Sequence, residues 1–177
     1  MNFSDERAIV QTMKPQKTTS PFITVRNSAI HGRGVFAKKD IPKGTRIIEY
    51  VGEKITKAQA ERRALVPLHR HKEDQTLGAV YLFELNKRYD IDGNVPYNTA
   101  RHINHSCEPN AETEIIRGKI WTIALRDIKK GEEITYNYSY GYDGYDEHRC
   151  YCRASRCVGY ILAEEHWPKL KQDNKVP

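Results

Sequence analysis

Residues 101–107 read RHINHSC, and the cysteine that ends the stretch is one of four in a chain of 177 residues. The other three lie together in CYCRASRC, residues 150–157. Cys150, Cys152 and Cys157 form a C-x-C-x4-C pattern, too compact for a comfortable disulfide framework and one thiolate short of a tetrahedral metal site. Structural zinc takes four ligands, with thiolate sulfurs about 2.3 Å from the ion, so the arithmetic predicts that Cys107 completes a closed site through a long-range contact. His148, two residues before Cys150, competes for the fourth position. With Cys107 as the ligand, the tail of the chain must fold back against the NHSC loop. Asn104 and His105 could simply cap a short helix. Directly before a metal ligand they would instead be rigidly held, and rigid polar groups make good ligand contacts.

Working outward, the chain is about one domain long and should bury roughly 70% of the surface its unfolded form exposes. With 38% hydrophobic and 29% charged residues it reads as soluble and globular. No apolar run approaches the roughly 20 residues needed to cross a bilayer, so no membrane partner is expected. MNFSDERAIV at the start has acidic residues and no apolar h-region, so no secretory signal is expected and the protein is placed inside the cell. In that reducing setting cysteines serve as metal ligands more readily than as disulfides. The net charge of +6 is uneven: +7 over residues 1–75, −4 over 76–148 and +3 over the remainder. An acidic middle segment suits a basic peptide better than a phosphate backbone, although the basic first part, near Lys38, Lys39 and Lys43, could contact nucleic acid.

Period and punctuation give the elements. The polar first 20 residues read as a flexible arm. FITVR opens the fold as a strand with Phe22 and Thr24 on one face and Ile23 and Val25 on the other. RIIEYV, AVYLFEL, RYDID and EITYNYS are further strands, and Arg117-Gly118 turns a hairpin within AETEIIRGKIWTIALRD. IPKGTRIIEY is echoed by IKKGEEITYNY. TKAQAERRALV is the one clear helix, with Thr56 as N-cap, Gln59 completing a capping box and Pro67 as its end. The polar LHRHKEDQTLG that follows reads as a mobile connection in which His69 and His71 are solvated. Many short strands with little helix predict a mainly β domain.

Two further patterns carry chemistry only in context. Gly32 and Gly34 bracket Arg33 in HGRGVF, a spacing that lets backbone pass close to a ligand but more often marks a plain turn. TYNYSYGYDGY repeats tyrosine, and in a strand Tyr136 and Tyr138 project from one face, either as ordinary aromatic packing or as paired phenols able to hold a cation.

Taken together, HGRGVFA, EYVGE, ARHINHSCEPN and GEEITYNY resemble, in order, the four signature stretches of the SET-domain protein lysine methyltransferases. CYCRASRC resembles the cysteine-rich post-SET segment that follows them in many members. The resemblance covers roughly residues 21–160. It implies a SET fold of several short twisted sheets, with the NHSC and EITYNY segments crossing in a pseudoknot-like way, against the usual scarcity of knots. The expected organisation is an arm (1–20), a SET domain (21–140) with a helix-and-loop insertion (56–77), a post-SET zinc segment (141–165) and a tail (166–177). No cysteine-rich pre-SET module is expected.

The resemblance also implies a function: transfer of methyl from S-adenosylmethionine to a lysine of a basic protein, with a histone tail as the default substrate. Gly32, Arg33, Gly34, Arg101, Asn104 and His105 would contact the cofactor, and Tyr151 would cover its adenine. Tyr138 would be the catalytic phenol, Tyr81 would line the lysine channel, and Tyr136 would restrict the product to mono- or dimethyl-lysine. Residence in a nucleus or on a chromosome would follow for a eukaryote, and in the cytoplasm for a bacterium. The attacking amine must be neutral, and holding a lysine of pKa about 10.4 neutral near pH 7 costs roughly 4 kcal/mol. Burial in an aromatic channel lowers a lysine pKa by up to about 3–5 units, so no strong side-chain base is required. A catalytically weak peptide-binding module and a zinc-bearing nucleic-acid binder are the competing readings. Turnover separates the first from an enzyme and salt dependence the second.

Overall fold

Alternation decides the first strand. In β1 (Ile23–Asn27) Ile23 and Val25 turn inward while Thr24 is exposed, and the strand pairs antiparallel along its whole length with β2 (Arg33–Ala37). The computed structural model describes residues 17–73 and 80–172, with side chains described for 17–65 and 80–170. Within them three small sheets form. β3 (Arg46–Tyr50) begins the second, β4 (Glu53–Thr56) begins the third, and α1 (Lys57–Glu73) follows. β5 (Leu82–Glu84) and β6 (Tyr89–Asp92) complete the third sheet in the order β4-β6-β5. β7 (Asn104–His105), β8 (Ala111–Ile116), β9 (Lys119–Ala124) and β10 (Glu133–Tyr136) then complete the orders β3-β9-β8 and β1-β2-β10-β7. The mainly β reading holds.

Local chemistry accounts for most of the boundaries. Arg117 and Gly118 both adopt positive φ, 51° and 75°, which gives the two-residue hairpin its right-handed twist. Thr56 and Gln59 form the reciprocal cap at the start of α1: the Thr56 N–H donates to Gln59 Oε1 at 2.8 Å and the Gln59 N–H to Thr56 Oγ1 at 3.3 Å. The IPKG and IKKG echo becomes a physical pair. Ile41 and Ile128 exchange both backbone hydrogen bonds, at 2.8 and 2.9 Å, and both side chains are fully buried. Each such burial contributes about 1.5–3 kcal/mol.

Three expectations are corrected. Pro67 does not end the helix, which continues to Glu73. Pro67 lacks the N–H that would bond the Arg63 carbonyl, but Arg63 lies on the exposed face, where water can satisfy that group. His69 and His71 therefore lie in helix rather than in a connection, with their side chains outside the described set. The arm is shorter than expected: Thr18 donates its N–H to the Tyr97 carbonyl at 2.8 Å, and its Oγ1 accepts the Thr99 N–H at 2.9 Å. Residues 1–16 lie outside the described residues. Finally, EITYNYS is a strand only as far as Tyr136, because Asn137 Oδ1 captures the Ser139 N–H at 2.9 Å and Ser139 takes φ +53°, turning the chain.

Two cores result. The larger joins Val35, Ile47, Ile48, Ile103, Ile120 and Ile134 between the sheets. The smaller gathers Cys107, Tyr145, Val158, Tyr160 and Leu162 with Trp167 and Leu170 of α2 (Trp167–Gln172). A cluster this small cannot bury enough surface to hold itself, which is where a metal staple has most effect.

Candidate active site

β7 and β10 run parallel, with Thr135 opposite Asn104 and Tyr136 opposite His105. This places side by side the two stretches whose crossing the resemblance implies. Asn110 extends the arrangement: its buried amide donates to the Glu133 carbonyl at 2.8 Å and accepts the Thr135 N–H at 3.0 Å, standing in for a strand where β7 ends. Asn104 turns the other way. Its amide donates to the His31 and Arg33 carbonyls, at 3.2 and 3.1 Å, and to the Glu133 carboxylate at 2.8 Å, while Ser28 donates to the same carboxylate. The glycine loop is thereby tied to the NHSC strand. Gly34 must be glycine because a Cβ there would strike the Glu133 carboxylate and the Ser28 side chain. It does not line the cavity, whereas Gly32, at φ +44°, does and has open space where a Cβ would be.

That cavity, about 340 Å³, falls in the usual size range for small-molecule sites. Gly32, Arg33, Arg101, Asn104, His105 and Tyr151 all line it, as do Tyr81, Tyr136 and Tyr138. Arg101 Nε is buried with no partner among the described residues, an orphaned donor that a ligand carboxylate would satisfy. Burial and the nearby charges of Arg101 and Arg33 push the His102 imidazole below its ordinary pKa, so this end of the cavity is electropositive. An amino-acid-bearing, positively charged nucleoside such as S-adenosylmethionine fits: its carboxylate matches the orphaned donor and its cationic centre matches the aromatic wall.

The aromatic wall is a ladder. Tyr50 and Phe83 centroids lie 5.4 Å apart, Phe83 and Tyr136 6.3 Å, Tyr136 and Tyr138 5.1 Å, and Tyr138 and Tyr140 5.8 Å. Burial pushes the Tyr136 and Tyr138 phenols well above their ordinary pKa and lifts Tyr140 to about 12. All three stay protonated near neutrality. Tyr138 is held at both ends: its hydroxyl donates to the Ile103 carbonyl at 2.9 Å, and its N–H donates to His105 Nδ1 at 3.1 Å. Because a backbone N–H can only donate, the neutral His105 ring carries its proton on Nε2, 3.5 Å from Cys107 Sγ.

Cys107 Sγ lies 3.7 Å from Cys150 Sγ and 3.9 Å from Cys157 Sγ, and the four sulfurs, with that of Cys152, all fall within 4.8 Å of one another. Four thiolates about 2.3 Å from a tetrahedral zinc would be about 3.8 Å apart, so the donor set fits this ion. The Cys107 N–H points at Cys152 Sγ at 3.5 Å and the Gly159 N–H at Cys157 Sγ at 3.4 Å. A bond from Cys150 draws the Cys107 thiol down to about 4; the same bond pushes Cys150 up, and burial lifts Cys157 to about 11. A divalent cation would let all four ionise. His148 is not in this cluster; it lines the cavity, edge-on to Tyr140 at 5.0 Å.

Sequence reasoning missed Tyr50, whose hydroxyl donates to the Tyr81 carbonyl at 2.8 Å and so sets the wall that carries Tyr81. The signal was available: a phenol that follows two buried isoleucines in the strand RIIEY needs a polar partner once buried. Glu133 and Asn110 had no local signal, because their partners lie in other segments.

The SET domain family matches residues 32–139. The variant-silencing SET domain-containing protein of Plasmodium falciparum (isolate 3D7) is 38% identical over 147 residues, 81% of this chain and 6% of that protein. Human histone-lysine N-methyltransferase 2D is 38% identical over 141 residues, 76% of this chain and 2% of the relative. The H3 lysine-4 specific histone-lysine N-methyltransferase of Candida albicans is 40% identical over 147 residues, 78% of this chain and 14% of the relative. This chain therefore spans a small part of the length of these relatives. The match begins at Gly32, at the mouth of the cavity, and ends one residue after Tyr138, and the chain belongs to the SET domain family.

Proposed function

We propose that this chain is a protein-lysine N-methyltransferase that uses S-adenosylmethionine and acts on a basic protein, with a histone tail as the first candidate. The observation that carries the reading is Tyr138, a protonated phenol locked by the Ile103 carbonyl and His105 at the meeting point of the electropositive and aromatic parts of one cavity. The relatives named as histone-lysine methyltransferases support it. Gly32 and Arg33 with Arg101, Asn104, His105 and Tyr151 would hold the cofactor, which when bound supplies an electrophilic methyl group. Gly34 serves the loop's packing. Cys107, Cys150, Cys152 and Cys157 would hold one structural zinc. A nuclear location is proposed on the same grounds; no helix among the described residues is long and apolar enough to cross a membrane.

The chain's own residues then have definite tasks. Because the Tyr138 proton is committed to the Ile103 carbonyl, its oxygen presents lone pairs to the cavity and can accept from the lysine amine, orienting it. The aromatic wall desolvates that amine and favours its neutral form. Neither Tyr136 nor Tyr138 is a base near neutral pH, since their phenols are held up by burial. The test is transfer of labelled methyl from S-adenosylmethionine to histones, followed across pH at subsaturating peptide. Activity should rise with pH as the substrate amine deprotonates. No alkaline loss should be seen below about pH 10, because phenols with raised pKa values ionise only above their ordinary range. A bell centred near neutrality would require a side-chain acid and base that this reading lacks.

Tyr136 is proposed to limit the product, its hydroxyl holding a water where further methyl groups would sit. Mass spectrometry of the product should then show the wild type stopping at mono- or dimethyl-lysine and Tyr136→Phe reaching a higher degree. An unchanged distribution would remove this role.

A further inference from the structure

The sheet that carries the glycine loop has a second end. β2 leaves the cavity at Arg33 and ends at Ala37, so at about 3.3 Å per residue Lys38 follows about 16 Å away, with Lys39 just beyond it. β10 runs antiparallel to β2, with Glu133 opposite Phe36, so Lys129 and Lys130 reach the same end. The Ile41–Ile128 bridge welds loops 38–43 and 126–132 into one rim. With Arg26, whose guanidinium donates to the Gly131 carbonyl at 3.0 Å, the rim holds seven cations and three carboxylates, a net charge of +4.

The three carboxylates are engaged within the rim. Asp40 accepts the Lys130 N–H at 2.9 Å and Lys129 Nζ at 3.0 Å, and Asp127 accepts the Lys43 N–H at 2.9 Å. Glu132 accepts the Lys129 N–H at 2.6 Å and the Arg126 guanidinium at 2.8 Å. The acids therefore shape the loops, while among the described residues no carboxylate pairs with the exposed ammonium groups of Lys38, Lys39, Lys43 and Lys130. The carboxylates Glu53, Glu84, Asp90 and Asp92 sit instead on the third sheet, engaged with Lys57 and Arg63 of α1.

We infer that this rim docks on the phosphate backbone of a nucleic-acid duplex, so that a lysine on a flexible tail of a duplex-bound protein reaches the cavity. Exposed ammonium groups with no carboxylate partner among the described residues, carried on two loops bonded to each other, match evenly spaced phosphates. An acidic peptide is less well served: many of the loops' backbone N–H groups are already committed within the rim, to carbonyls or to Asp40, Asp127 and Glu132, and the Phe22 and Phe36 rings lie under Lys39 and Arg26, 4.6 and 3.9 Å from their centroids. The position relative to the cavity rests on the methyltransferase reading. The docking itself does not.

Fluorescence anisotropy of the full chain with a short mixed-sequence duplex DNA reads the docking without cofactor. Four neutralised phosphates give a log–log salt slope of about −3.6, a weakening of about 150-fold between 50 and 200 mM salt. The variant K38E/K39E/K43E/K130E should melt like the wild type, bind the duplex at least about 100-fold more weakly at low salt and show a flatter slope. Its methylation of a free histone peptide should be unchanged, and that of the same histone wrapped in DNA should fall. Equal duplex affinity of wild type and variant overturns the assignment. So does competition by poly-glutamate at the same charge concentration as DNA, which would make an acidic protein the partner. A wild type that binds the duplex but methylates nothing would sink the enzyme reading and leave the rim standing.

Discussion

Tyr138→Phe lowers kcat by about 10²–10³-fold while the dissociation constant for S-adenosylmethionine changes less than about twofold, as read by single-turnover methyl transfer and by cofactor titration. The asymmetry follows from what the side chain touches. Its ring stays in the ladder between Tyr136 and Tyr140, so packing and the cavity wall survive. Its backbone N–H still donates to His105, so the NHSC loop keeps its shape. Only the oxygen between the Ile103 carbonyl and the cavity is lost, and with it the acceptor that aims the amine. A variant with full kcat would mean that the amine is oriented by another group, with Tyr140 the next candidate along the wall. A variant that lost cofactor affinity in parallel would make Tyr138 part of the cofactor site instead.

If the four cysteines hold one zinc, as proposed, Cys152→Ser removes one of its ligands, and the expected result is loss of the single zinc per chain, with cofactor affinity weakened by more than about tenfold. Two connections make the effect reach the cavity. Tyr151, on the cavity wall, lies between Cys150 and Cys152 in the chain, so its position would depend on a bound ion. His105 lies between Cys107 Sγ and the Tyr138 N–H, joining the cysteine cluster to the aromatic wall through one imidazole. Metal analysis, a cofactor titration and hydrogen exchange together check this. Exchange should rise around Tyr160 and Trp167, in the smaller core, and stay low in β3 and β9, whose core is built without the metal. Zinc lost with cofactor affinity retained would leave the ion a staple for the tail and nothing more.

The legible parts of this protein share one property: each was written in residues close together or in a residue type with few uses. The Thr56–Gln59 cap and the Arg117-Gly118 hairpin are local backbone chemistry, closed within a few residues. The cysteine arithmetic brought Cys107 to the other three because thiolates are few and a tetrahedral site takes four ligands, and the four sulfurs do cluster. Pro67 misled because a proline was read as a stop, whereas an exposed helix can tolerate a missing backbone donor. Tyr50, Asn110 and Glu133 stayed hidden for another reason. Their roles are set by the Tyr81 carbonyl, by the backbone of β10 and by Ser28 with Asn104, and no spacing along the chain announces those partners.

By itself, then, the sequence determined the strand-rich class, the family and which four thiols come together, because period, turn chemistry and ligand number are properties of the residues themselves. Only the tertiary structure decided that His148 faces the cavity rather than the sulfur cluster, that Gly34 packs rather than lines, and that two lysine loops more than 80 residues apart make one rim. Those outcomes depend on how buried side chains from distant segments fill the same space, and close packing settles them all at once.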